Sequence, residues 1–222
     1  MAVLVAGGTG FLGTAVVREL VASGYDVTST WVVEEERERL ASEPVELVEC
    51  NLFDPASAEA AVASVADLEA VVNLVGGFAD GPLVHETDPE DFARLMQLNV
   101  TPAFLLARAA MPRLIERGGG AFIGVSARTA LRPYPGAAAY STSKAALLAL
   151  IQALDVEYRR EGVRCNAILP SVIDTPANRE AQPDADHSKW VAPEEIARVV
   201  RFLVSTDSAP TSGAAVPVYG RA

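Results

Sequence analysis

The stretch Ala2-Val3-Leu4-Val5-Ala6-Gly7-Gly8-Thr9-Gly10-Phe11-Leu12-Gly13 decides how the chain is read. Its first five residues are apolar, the pattern of a short buried strand. Glycines stand at 7, 8, 10 and 13. An amphipathic pattern then runs to Ser23, with Leu12, Ala15, Val16, Leu20 and Val21 on one face and Gly24 closing it. Strand, glycine turn and helix in direct succession allow a tight reversal and close approach of a ligand to the backbone. The start of the helix offers free N–H groups to a pyrophosphate. A tight turn that binds nothing is the competing reading.

Outward from this unit, strand patterns recur at Tyr25–Val33, Val45–Glu49, Glu69–Val75, Ala121–Val125, Val163–Leu169 and Ala214–Tyr219. Helical patterns separate them. Glu34-Glu35-Glu36 open a short one, and another covers 56–66. Asp88-Pro89 supplies a cap and a first-turn proline for a long helix towards Gly118, which Pro102 and Pro112 are expected to kink or divide. Tyr140–Arg160 and Pro193–Val204 are the last two, with a polar loop over 174–193. Strands alternating with helices imply parallel βαβ units with right-handed crossovers. The expectation is one three-layer, doubly wound α/β domain of Rossmann type over residues 1–222, with strand order 3-2-1-4-5-6-7. Ligands of such sheets bind at the carboxyl ends of the strands, beside strand 1.

Half of the 222 residues are hydrophobic, 21% are charged, and the formal net charge is −11. That balance opposes binding to nucleic acid, which needs cations against phosphates, and to anionic membranes. The apolar runs are short, and no basic N-terminal region precedes the first strand. Cys50 and Cys165 fall on separate strands, so no disulfide is expected between them. A cytoplasmic setting follows as an expectation.

Tyr140-Ser141-Thr142-Ser143-Lys144 opens the helical pattern at Tyr140. Tyrosine and lysine four apart share one helix face, and an ammonium near a phenol favours the phenolate. Tyr140 is therefore a candidate proton donor or acceptor. Lys144 is one of only two lysines, the other being Lys189.

Taken together, AGGTGFLG at 6–13, NLVGG at 73–77, Asn99, Ser126, Tyr140 with Lys144, and LPSVIDTP at 169–176 resemble the short-chain dehydrogenase/reductase family over nearly the whole chain. The stretches VGGFADG at 75–81, ALRPYPG at 130–136, 174–190 and SGAAVPV at 212–218 are similar to those of dihydropteridine reductases. The resemblance implies NAD(P)-dependent hydride transfer with Tyr140 as general acid/base and Lys144 holding the nicotinamide ribose and lowering the tyrosine pKa. It implies that Asn99 holds a water of the proton relay. Ser126 is the candidate for orienting substrate. The implied cofactor-binding set is Gly7, Thr9, Gly10, Phe11, Leu12, Gly13, Trp31, Asn51, Leu52, Asn73, Gly76, Tyr140, Lys144, Pro170, Ile173 and Thr175. A small-molecule substrate, a homodimer or homotetramer, and no metal ion are also implied.

Three features depart from the family pattern. The glycines Gly7, Gly10 and Gly13 are spaced as in the family's extended branch. Ser126 stands fourteen residues before Tyr140 (140 − 126), where the family usually places its serine thirteen before, the position of Ala127. The tip of the second strand, Thr30-Trp31-Val32-Val33, carries neither an acidic residue for a ribose nor an arginine for a 2′-phosphate. The three glutamates that follow would repel a 2′-phosphate and favour NAD over NADP. The substrate is expected between Phe78–His85, Arg128–Tyr134 and 174–192, and Trp190 is read as a lid or interface residue. His85 and His187 have no second ligand at metal spacing. The rival reading is a regulatory protein that binds NAD(P) without turnover.

Overall fold

A computed structural model describes residues 1–221. Seven strands form one sheet: β1 (Ala2–Ala6), β2 (Asp26–Trp31), β3 (Glu46–Glu49), β4 (Leu68–Asn73), β5 (Gly120–Val125), β6 (Val163–Pro170) and β7 (Ala215–Val218). Their order is β3-β2-β1-β4-β5-β6-β7 and every pairing is parallel. This is the expected doubly wound order.

Alternation along the strands builds two cores. On one face, Leu4, Val71, Phe122 and Cys165 pack under α2 (Pro55–Ser64), α3 (Pro89–Arg117) and α4 (Ala138–Tyr158). On the other, Val3, Val5, Ile123 and Ile168 pack under α1 (Phe11–Ala22) and α6 (Pro193–Val204). Cys50 and Cys165 are both free and buried. Among the described residues, no helix is long and apolar enough to cross a membrane.

Two local expectations change. Pro102 and Pro112 lie inside α3 without dividing it, and the helix runs unbroken to a left-handed cap at Gly118. The 174–193 segment is not all loop: α5 (Pro176–Ala181) forms behind Thr175, whose hydroxyl accepts from the Asn178 N–H at 3.3 Å. Thr-Pro at a cap and first helical position is a start signal that the polar composition masked.

Gly13 fixes how α1 sits on β1. A Cβ there would lie 2.6 Å from Gly8 Cα and closer still to the Gly7 carbonyl oxygen. The expected outcome of Gly13→Ala is a loss of about 1–3 kcal/mol in stability from this overpacking, measured by chemical denaturation.

Candidate active site

The first half of the site is the turn between β1 and α1. Gly7 has φ 77°, in the left-handed region that glycine adopts freely. Its N–H donates to Thr30 Oγ1 at 3.0 Å, tying the turn to β2. Gly10 is different. A Cβ on it would meet only the Gly7 oxygen, at 3.5 Å, so protein packing leaves the space over this glycine open. The N–H groups of Phe11, Leu12 and Gly13 in the first turn of α1 have no intrahelical acceptor. No side chain caps this end and no acidic residue stands in its first turn. An open glycine surface in front of uncapped, electropositive N–H groups fits the pyrophosphate of a dinucleotide.

The second half lies at the carboxyl ends of β4 and β5. Asn99, on α3, is fully buried. Its Oδ1 accepts from the Gly77 N–H at 2.9 Å, and its Nδ2 donates to the Gly77 carbonyl at 3.1 Å and to Ser143 Oγ at 2.9 Å. Ser143 Oγ donates in turn to the Tyr140 carbonyl at 2.8 Å. One amide thus joins α3, the segment after β4 and α4. Both its Nδ2 hydrogens are used on protein groups. A Cβ on Gly76 would lie 2.6 Å from Asn99 Oδ1 and 2.9 Å from Lys144 Nζ, so Gly76 is where these two side chains converge.

Lys144 is buried, and its ammonium donates to the Val125 carbonyl at 3.0 Å. Burial pushes its pKa down to about 8 from 10.5. Nζ lies 5.9 Å from the centroid of the Tyr140 ring. The Tyr140 phenol is raised above its usual 10.0 rather than lowered, first by burial and then by Tyr134. The spacing alone predicted the opposite direction, but desolvation outweighs an ammonium directed at a carbonyl. The phenol therefore stays protonated through neutral pH. Phe78 stands edge-on to the Tyr140 ring at 4.9 Å, and Tyr134 donates to Asp80 at 3.0 Å across the mouth of the site.

Ser126 does not face Tyr140 with a free hydroxyl. Its Oγ donates to the Lys144 carbonyl at 2.8 Å, pinning α4 to the end of β5. Asn73 is fully buried, with Oδ1 accepting from the Val75 N–H at 3.3 Å and Nδ2 without a partner among the described residues. Asn51 Oδ1 accepts from the Phe53 N–H at 3.1 Å, and Leu52 is a core side chain. Pro170 ends β6, and Ile173 bridges to Val191. Thr175, Phe11 and Thr14 line one cleft of about 710 Å³, which brings the loop after β6 to the start of α1.

Sequence reasoning missed the far rim of the glycine turn. The helical turn Glu34–Leu40 folds back so that Arg37 covers Trp31 at 4.7 Å and Arg39 covers Phe11 at 4.2 Å. Arg39 also donates to the Thr9 carbonyl at 2.8 Å. The available signal was the Glu36/Arg39 pair three residues apart. The histidines stay peripheral: His85 is exposed beside Glu86, and His187 stacks on Trp190 at 4.3 Å.

Residues 1–186 match the family described as short chain dehydrogenase. The chain belongs to the short-chain dehydrogenase family. It is therefore an NAD(P)-dependent oxidoreductase by kinship. It is 29% identical to 2-(R)-hydroxypropyl-CoM dehydrogenase of Xanthobacter autotrophicus, covering 98% of this chain and 96% of the relative. It is 35% identical to (3R)-3-hydroxyacyl-CoA dehydrogenase of Rattus norvegicus over 68% of this chain and 61% of the relative. A solved short chain dehydrogenase/reductase family protein superposes with TM-score 0.92 at 30% identity, covering 99% of this chain and 96% of that one. ElxO with NADP bound shares the fold with TM-score 0.92 at 21% identity, over 99% of this chain and 97% of that one.

Two outcomes test this geometry. Gly76→Ala is expected to leave a folded protein whose Asn99 and Lys144 side chains are displaced, so dinucleotide affinity and turnover both fall while circular dichroism is retained. The depressed Lys144 pKa carries a sign. Between pH 8 and 10.5 the unfolded chain holds a proton on this lysine that the folded chain has released. Stability relative to Lys144→Met should therefore rise with pH across that window in denaturation experiments, and be flat below it.

Proposed function

We propose that the protein transfers a hydride between a nicotinamide cofactor and a carbonyl or alcohol carbon, with dihydropterin-like compounds within its substrate range. The observation that carries this reading is the convergence of Lys144, Gly76 and the Tyr140 turn of α4 on the buried Asn99, at the same carboxyl end of the sheet as the open glycine turn. When bound, the nicotinamide supplies or accepts the hydride. The glycine turn and the first N–H groups of α1 would hold its pyrophosphate. Asn73, with its unpartnered Nδ2, and Thr175 would stand near the bound dinucleotide. Lys144 would hold the nicotinamide ribose, and Tyr140, its phenol protonated at neutral pH, would give its proton to the carbonyl oxygen as the hydride reaches the carbon. Lys144, with a pKa near 8, is matched to passing a proton back to Tyr140 from solvent.

Asn99 and Ser126 are positioning residues in this reading. Asn99 holds Gly77 and Ser143 in register, and Ser126 holds the Lys144 backbone. With Ala127 at the neighbouring position, Tyr140 alone contacts the reacting oxygen. Phe78 and Tyr134 present exposed aromatic rings beside Tyr140. They favour a hydrophobic or planar substrate. NAD is the preferred cofactor, because Glu34, Glu35 and Glu36 follow β2. Exposed Phe104 on α3 and Val156 on α4 offer apolar contacts for a homodimer or homotetramer acting in the cytoplasm.

The experiment is turnover of NADH and NADPH on a panel of hydrophobic carbonyls and quinonoid dihydropterin. Tyr140→Phe is expected to lower turnover by roughly 10²–10⁴-fold while dinucleotide affinity is kept. Ser126→Ala is expected to lower the denaturation midpoint more than turnover. Wild-type rates in Tyr140→Phe would overturn the assignment of the proton.

A further inference from the structure

The rim of the glycine turn holds an arrangement that the strand tip does not announce. Thr9 is almost fully buried, and its hydroxyl donates to Glu36 Oε2 at 3.3 Å. The other oxygen of the same carboxylate accepts an ion pair from Arg39 Nη1 at 3.0 Å. Arg39 is anchored twice more, to the Thr9 carbonyl at 2.8 Å and over the Phe11 ring at 4.2 Å. A hydroxyl donor and a guanidinium converging on one anion, beside the turn suited to a pyrophosphate, form an anion cradle. The chain fills it with its own carboxylate.

From this geometry, and resting on the dinucleotide reading above, we infer that Glu36 is the residue that selects NAD, by occupying with its carboxylate the anion cradle of Thr9 and Arg39 in which a 2′-phosphate would be held. In dinucleotide folds the ribose lies between the glycine turn and the end of the second strand, where an acidic residue accepts from its hydroxyls. Glu36 comes five residues after that strand ends at Trp31 (36 − 31) and is returned to the turn by the helical segment Glu34–Leu40. A carboxylate has about four acceptor sites, of which Thr9 and Arg39 engage two, so it retains capacity for a ribose hydroxyl. A 2′-phosphate would instead meet a like charge and an arginine already neutralised. Because Arg39 is also bonded to the Thr9 carbonyl, removing the Glu36 carboxylate is expected to leave a positioned cation and an unoccupied hydroxyl donor.

The test is titration of the purified protein with NADH and with NADPH, following nucleotide fluorescence and calorimetry, so that affinity is read without turnover. The wild type is expected to bind NADH at least tenfold more tightly than NADPH. In Glu36→Gln and Glu36→Ala the ratio of the two dissociation constants should fall at least tenfold, through tighter binding of NADPH. Adding Arg39→Gln to Glu36→Ala should reverse that gain. A wild type that prefers NADPH, or a ratio that moves less than threefold in both single variants, overturns the assignment to Glu36. If neither dinucleotide binds the wild type, the dinucleotide reading itself fails and takes this inference with it. Denaturation midpoints of the variants verify that each is folded.

Discussion

The site depends on one buried amide. Asn99 lies in the interior of α3, and every polar atom of its side chain is engaged by Gly77 or Ser143. An unpaired amide at that depth would be destabilising, so these partners are held firmly in place. Gly77 belongs to the chain leaving β4, and Ser143 to the turn of α4 that carries Tyr140 and Lys144. The separation between the end of β4 and the first turns of α4 is thereby set by three hydrogen bonds. Gly76 has no side chain because that space holds Asn99 Oδ1 and Lys144 Nζ.

Around this node the electrostatics are arranged by burial. Lys144 keeps a single strong acceptor, the Val125 carbonyl, and loses the hydration that would stabilise its charge. Tyr140 is desolvated by its surroundings, with Phe78 across its ring, so its proton is held more tightly than in water. The Tyr140 phenol and the Lys144 ammonium have been moved in opposite directions, one up and one down. That separates the two groups and leaves the phenol the weaker acid of the pair. The glycine turn contributes from the other side, with uncapped N–H groups and a surface at Gly10 that protein atoms leave open.

Much of this was legible in the residues. The alternation of apolar strands with helical patterns implied the sheet order, since crossovers are right-handed and short. Gly7, Gly10 and Gly13 announced the turn, Gly7 through its left-handed backbone, Gly13 through close backbone contact and Gly10 through the open surface above it. Tyr140 and Lys144 announced themselves through helical spacing. The direction of the Tyr140 shift was not legible, because spacing reports which groups are near and says nothing of how much water surrounds them. The role of Ser126 was not legible either. Its hydroxyl is taken by a carbonyl eighteen positions ahead, a contact made by the packing of α4 on β5. The return of Arg39 and Glu36 to the glycine turn depends on the path of the segment 34–40, which local composition does not encode.

The sequence by itself determined the class of fold, the position of the glycine turn and the placing of Tyr140 and Lys144 on one helix face. Periodicity, glycine and spacing are local properties, and these three features rest on local properties. Only the tertiary structure decided which polar side chains stay free for chemistry. A hydroxyl or carboxylate is available to a ligand when no nearer group has claimed it. That depends on neighbours brought together across the sheet, as Asn99 to Gly77, Ser126 to Lys144 and Glu36 to Thr9 are here.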